Sequence, residues 1–228
     1  DLSELEINAG IFDVEIIAST GNRVEVVVED IPQGFSVSDR ARGGSATVDV
    51  RGRNTWFSRS SGDPTIAVSA PPGINVDVEV ASGDVSIDGI RGSIRLRSAS
   101  GEVTVASCGG DLDIRVASGD IEIVDFVGTI ATVGASGGVD LVRCRGVIGA
   151  ETASGGIEGR ELELIADAVF ETASGSISLD LKNDLNDLRY DLESSSGSIR
   201  FGDIRSERKL TGGEGRFLVT ARSASGSI

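Results

Sequence analysis

Residues 80–105 read VASGDVSIDGIRGSIRLRSASGEVTV, and the recurrence inside this stretch decides the fold. Ala81-Ser82-Gly83 returns 18 residues later as Ala99-Ser100-Gly101, and the same spacing continues to Gly119, Gly137 and Gly155. Gly175, Gly197 and Gly226 follow at intervals of 20, 22 and 29, the middle copy degraded to Ser195-Ser196-Gly197. A second set, Gly92, Gly110, Gly128 and Gly146, falls midway, so the half-unit is nine residues. A short fixed period means a solenoid, in which each repeat buries its apolar side only by stacking on its neighbours.

Counting from each Ala-Ser-Gly glycine, the second residue is Val85, Val103, Ile121, Val139, Ile157, Ile177 or Ile199, and the fourth is mostly apolar too. The third is polar: Ser86, Thr104, Glu122, Asp140, Glu158, Ser178 or Arg200. That alternation is a strand with one buried and one solvated face. The half-unit supplies a second strand through Ile94 with Leu96, Leu112 with Ile114, then Ile130 and Ile148. The expected fold is therefore all-β, a parallel β-solenoid of about 18 residues and two short strands per coil. Glycine suits the corners because they need positive φ or close approach between coils. The Ala column, Ala81 to Ala173, is expected to face inward at a tight corner. The Ser column beside it is expected to form a hydroxyl ladder or to cap turns.

One domain over 1–228 is expected, with 76–228 as regular coils. Residues 1–75 lack the tripeptide but alternate over Leu2–Asn8, Ile11–Ile17, Val24–Val28, Ala46–Val50 and Ile66–Ala70. They read as a cap or as irregular early coils, with a loop near Trp56 and Phe57. Insertions over 181–192 and 203–215 read as loops or widened coils. The repeat rule places Ser227-Ile228 in a strand, which makes the last coil unfinished and leaves an open edge. Because the chain begins at Asp1 without Met, a leader or anchor is expected to have been removed or left out upstream.

Cys108 and Cys144 lie two 18-residue turns apart, in one column with Ile90, Phe126 and Leu162. Stacked strands sit ~4.8 Å apart, which separates the cysteines by about 10 Å, beyond the ~7 Å reach of a disulfide. Both are expected in the core. The net charge of −15 opposes partnership with nucleic acid or an anionic membrane surface. No apolar run reaches the ~18 residues that span a bilayer, so direct membrane insertion by this segment is not expected.

Two stretches carry a resemblance: Val68-Ser-Ala-Pro-Pro-Gly-Ile-Asn-Val running into Val80-Ala-Ser-Gly-Asp-Val, and the serial Ala-Ser-Gly-[Asp/Glu/Gly/Ser]-[Val/Ile] that follows. Together they resemble the bacterial putative-adhesin family of β-strand-repeat domains, over essentially the whole chain. The resemblance implies a right-handed parallel β-helix carried outside the cytoplasm, in the periplasm, at the cell surface or anchored in the envelope. It implies no catalytic motif, no cofactor and a modestly higher expectation of surface binding.

Histidine is absent, which removes the commonest general base and the usual zinc ligand. No nucleophile–base pair stands out, so no catalytic residue is assigned and no enzyme is expected. Asp84, Glu102 and Asp120 form a turn column of carboxylates, the oxygen-rich kind of cluster that calcium favours, although Gly138 and Gly156 end it. Arg95, Arg97 and Arg115 make a local basic group suited to an anion or an acidic glycan. Trp56 could stack on a sugar or pin a loop. Three roles follow: a binding or scaffold module for a glycan, a cell-wall polymer or a protein; a rod self-associating through its ends into filaments; and a calcium-binding β-roll. The first is the expected one.

Overall fold

The computed structural model describes residues 2–52 and 64–228. Residues 2–52 and 64–70 hold β1 (Glu4–Gly10), β2 (Asp13–Ala18), β3 (Glu25–Glu29), β4 (Phe35–Arg42), β5 (Ser45–Gly52) and β6 (Thr65–Ala70). The regular coils follow as β7 (Asn75–Val80), β8 (Val85–Asp88), β9 (Ile94–Ser100), β10 (Val103–Ala106), β11 (Gly109–Ser118), β12 (Ile121–Val124), β13 (Val127–Ser136), β14 (Val139–Val142), β15 (Arg145–Ser154) and β16 (Ile157–Leu164). The last part holds β17 (Ala168–Ser174), β18 (Ile177–Leu181), β19 (Leu188–Ser196), β20 (Ile199–Phe201), β21 (Ile204–Ser206), β22 (Lys209–Gly212) and β23 (Phe217–Ser225). The fold is all-β with long parallel sheets, as the repeat demands.

Register shows how the period becomes a stack. Val103 pairs with Ile121, Ile121 with Val139 and Val139 with Ile157, all in parallel. These short strands make one wall. The other wall is built from longer strands, so the two strands of a coil are unequal: β12 has 4 residues and β13 has 10. Both walls turn their apolar residues inward, Val105 and Ile123 from one and Ile114 and Ile130 from the other, all at most 1% exposed. Cys108 and Cys144 share that core with Ile90, Phe126 and Leu162, as their column requires. Phe126 is the rung between the two cysteines, which keeps the thiols apart.

At the Ala-Ser-Gly corner the coils approach too closely for any side chain. A methyl on Gly119, whose φ is +134°, would land on the carbonyl oxygen of Gly101 one coil below. Gly137 bears the same relation to Gly119, and Gly155 to Gly137. The glycine N–H groups in turn donate to the next coil, Gly119 to the Ser136 carbonyl at 3.0 Å and Gly137 to that of Ser154 at 2.9 Å.

The Ala column contradicts its expectation. Ala81, Ala99, Ala117, Ala135, Ala153 and Ala173 all face solvent. The strict alternation of the long strands is the cause: with Ile94 and Leu96 inward, Ser98 also points in and Ala99 out. The inward corner row is instead Ser98, Val116, Gly134, Thr152 and Thr172. The hydroxyls that close the backbone lie in this row, with Thr152 donating to the Gly137 carbonyl at 3.1 Å and Thr172 to that of Gly155 at 2.9 Å. The Ser column one step outward is exposed.

Both chain termini are threaded into the stack. β1 pairs in parallel with β5 on one side and β7 on the other. β2 likewise lies between β6 and β8. At the far end β23 lies between β17 and β19, parallel to both, so the expected unfinished final coil is an interior rung. The chain skips one rung between β17 and β19, and the 29-residue step from Gly197 to Gly226 then carries it through β22, on the outer side of β19, and back to fill that rung with β23. The outermost rungs are flanked by antiparallel strands: β3 on β6, β4 on β5 and β22 on β19. Such strands cover edges that would otherwise invite pairing. The 203–215 insertion contributes to this end, as β21 pairs with β20 in a hairpin and β22 follows it.

Gly119→Ala is expected to destabilise the protein by roughly 2–5 kcal/mol, combining overpacking with positive-φ strain. Gly73→Ala, where an added methyl meets nothing within 4 Å, is expected to be near neutral. Chemical denaturation of the two variants against the native chain measures the difference.

Candidate functional site

The outward rows of the long-strand wall are set by the same alternation that fills the core. Two residues before each motif alanine, the register links Glu79, Arg97, Arg115 and Val133, then Glu151, Glu171, Arg222 and Glu193. This row and the exposed alanines bound a shallow groove along the rod. One stretch of about 530 Å³ runs from Glu79–Ala81 to Val133–Ala135. The next, of about 540 Å³, continues from Val133 to Glu193 and Ser195. Alanine is what makes it a groove, because its methyl leaves the floor low between taller walls.

The middle of this face is uncharged. On β13 the outward residues are Val127, Thr129, Ala131, Val133 and Ala135, and Val147 and Val169 lie on the coils beyond. Val127 is 55% and Val133 45% exposed. On one side sit Arg95, Arg97 and Arg115. Arg95 and Arg97 reach the Asp77 carboxylate at 3.2 and 3.6 Å, and Arg115 reaches Asp113 at 3.3 Å. The structure thus brings the expected basic residues together, Arg97 and Arg115 on the groove wall and Arg95 in the row beside it, each paired with a carboxylate. Trp56 lies outside the described residues. The apolar middle and the groove were not foreseen. The signal for both was in the outward positions of VGTIATVGAS, which carry no charge.

The carboxylates proposed for calcium have backbone partners. Asp84 Oδ1 accepts from the Glu102 N–H at 2.7 Å, and Asp120 Oδ1 accepts from the Gly138 N–H at 2.7 Å. Asp13 does the same one coil earlier for the Asp84 N–H at 2.8 Å. Glu102 is exposed beside them. Among the described residues no group of three or more acidic, cysteine or histidine side chains is close enough to hold a metal ion.

The opposite corner carries a charge ladder that residue identity concealed. Ser107, Asp125, Arg143 and Glu161 recur at 18-residue steps with φ between 53° and 56°, continuing from Gly89 at 78°. Left-handed backbone is rare for non-glycine residues, and the stack imposes it here. Arg143 grips Asp125 through two bonds, 2.6 and 2.7 Å, and Lys182 meets Glu161 at 2.8 Å. The Arg143 guanidinium holds the Asp125 carboxyl below its usual range, and Lys182 does the same for Glu161. Asp140 moves the other way: partial burial raises its pKa, and Glu158 and Glu122 on the neighbouring coils add to the shift. Burial also raises both thiols, Cys144 to about 11.

The family described as Toastrack DUF4097 matches residues 2–228. The fold is similar to a crystal structure of a putative adhesin from Bacteroides fragilis, with a TM-score of 0.58 at 12% identity, covering 100% of this chain and 91% of that one. A putative cell adhesion protein from Clostridium sporogenes aligns over 100% of this chain and 91% of its own, at 8% identity and a TM-score of 0.32. No curated protein matches the chain.

Two outcomes are expected from this electrostatic layout. With its folded pKa raised, Asp140 opposes folding while ionised, and the penalty fades as pH falls through that pKa. Asp140→Asn should therefore stabilise the protein at neutral pH by roughly 0.5 kcal/mol or less, with the gain gone below about pH 3.9. Thermal unfolding across pH reads it. Cys144, 1% exposed, should resist thiol-specific reagents at neutral pH until the chain is unfolded.

Proposed function

Because this chain belongs to the Toastrack DUF4097 family, we propose that it is a non-enzymatic binding and scaffold module of the bacterial cell envelope, working outside the cytoplasm. The rod is taken to wind right-handed, as parallel crossovers do. Its interaction surface is the long-strand wall, and the observation that carries this reading is the alanine-floored groove running along the stack. A groove open at its sides accommodates something extended or flat: a glycan, a cell-wall polymer or a protein surface. Arg97 and Arg115 line one half, with Arg95 in the adjoining outward row, and suit acidic groups on such a partner. The adhesin descriptions of the solved structures agree with surface binding.

The chemistry of the residues supports binding over catalysis. The sequence has no histidine, and both thiols lie in the core with raised pKa values. Asp84 and Asp120 serve the turns by accepting backbone N–H groups. Thermal unfolding is accordingly expected to be the same in chelator and in millimolar calcium, and a calcium-dependent rise would assign Asp84, Glu102 and Asp120 to the metal. End-to-end filaments gain nothing from the structure, since antiparallel strands flank the terminal rungs.

The test uses isolated bacterial cell walls as the probe. Native protein is expected to co-sediment with them. Ala135→Trp, which raises the groove floor at an exposed position, should weaken retention at least about tenfold without lowering thermal stability. Equal retention of both proteins would overturn the assignment of the groove.

A further inference from the structure

The charges along the groove wall have an order that a second copy of the same wall would match. Take Val133 on β13 as the centre. One coil out lie Arg115 and Glu151, two coils out Arg97 and Glu171, three coils out Glu79 and Arg222. Each pair is opposite in sign. Four coils out are Asn8 and Glu193, and five out are Asp49 and Lys209, opposite again. No like-charged pair occurs in this row.

A twofold axis lying in the face, along the strand direction through β13, sets coil +n of one copy against coil −n of the other. It also keeps each row opposite itself. We propose that two copies of this chain associate through the long-strand walls with their rods antiparallel, centred on Val133. The proposal rests on the reading of this wall as the interaction surface and names its partner. Arg115 then faces Glu151 of the other copy, Arg97 faces Glu171, and symmetry makes each contact twice, as an isologous interface requires. Parallel rods related by a twofold along this row would set each of its residues against its own copy, placing Arg97 on Arg97 and Glu171 on Glu171. The charge order therefore selects the antiparallel arrangement.

The rest of the face is compatible with this contact. The axis passes through the uncharged centre, where Val133 and Ala131 meet their own copies, with Val147 and Val169 beside them. Centre apolar, rim charged is the usual anatomy of a protein interface. The low alanine floor leaves room for arginine and glutamate side chains from the opposite wall. In the neighbouring outward row the like-charged pair is Glu6 with Asp191. Asp191 is already compensated by Lys209 at 3.3 Å and Arg222 at 3.8 Å. In the intramolecular pairs on the wall the arginines are about half exposed or more and their carboxylates 32–39%, so exchanging them for intermolecular pairs costs little. Nine rungs at ~4.8 Å and some six residues of strand give a face of roughly 40 by 20 Å, about 800 Å² per copy, the size of a standard specific interface.

Sedimentation velocity on the purified chain tests this without any ligand. The native protein is expected to be dimeric at ~100 µM in low salt and to dissociate as salt rises. Arg97→Glu with Arg115→Glu should weaken self-association at least about tenfold, and so should Glu151→Arg with Glu171→Arg. Mixing those two variants should produce a heterodimer. The quadruple variant, with all four charges exchanged, should dimerise again, which a merely misfolded protein would not do. A native chain monomeric at low salt overturns the proposal, as do double variants that remain dimeric. Because the dimer covers the groove, cell-wall retention is judged on the monomeric Glu151→Arg, Glu171→Arg variant, whose groove is open: its failure to co-sediment would count against the envelope reading alone.

Discussion

The whole structure depends on how closely one coil can lie on the next at the glycine corner. Where Gly119 passes over Gly101, a carbonyl oxygen occupies the space a Cβ would need. Ladder hydrogen bonds set the rung spacing and the glycine lets the corner match it, and the spacing puts every following residue beside its counterpart one period away. Columns are the result. The core is a set of apolar columns, the groove floor is a column of alanines, and charges act mainly on their neighbours above and below. A single bulky residue at a glycine corner would disturb many registers at once.

Local period made most of this readable from the chain. The apolar columns, the burial of Cys108 and Cys144 and the glycine corners all follow from counting 18 residues. The Ala column shows where size is a poor guide: a small residue suggested a cramped interior, yet the alternation through Ile94, Leu96 and Ser98 already assigned Ala99 to the outside. The corner at Ser107, Asp125, Arg143 and Glu161 left no trace because its backbone is imposed by the stack and its residues have nothing in common. Threading of the ends was hidden for a different reason. β23 finds β17 at a separation of 51 residues, and no periodic signal links segments across such an insertion. The charge order of the groove wall spans that same join, so it became visible only with the register in hand.

Acidity is distributed unevenly over the rod. The short-strand wall carries Glu122, Asp140 and Glu158 in one row, where partial burial and, after it, repulsion from the neighbouring carboxylates raise the Asp140 pKa. The long-strand wall mixes signs and has a neutral middle. Exposed ion pairs add little to stability one by one. Their order along a rigid face matters more, because it decides which surfaces can lie against it. A protein with net charge −15 thus keeps one wall on which like can meet like.

The position of the chain ends gives the rod a mechanical character. β1 is held by parallel ladders to β5 and β7, and β23 by ladders to β17 and β19. A tug on a free outer strand peels its bonds one after another. A tug on a strand enclosed on both sides loads two ladders together, in shear along their length. Tension applied to β1 or β23 is therefore shared by many bonds from the outset.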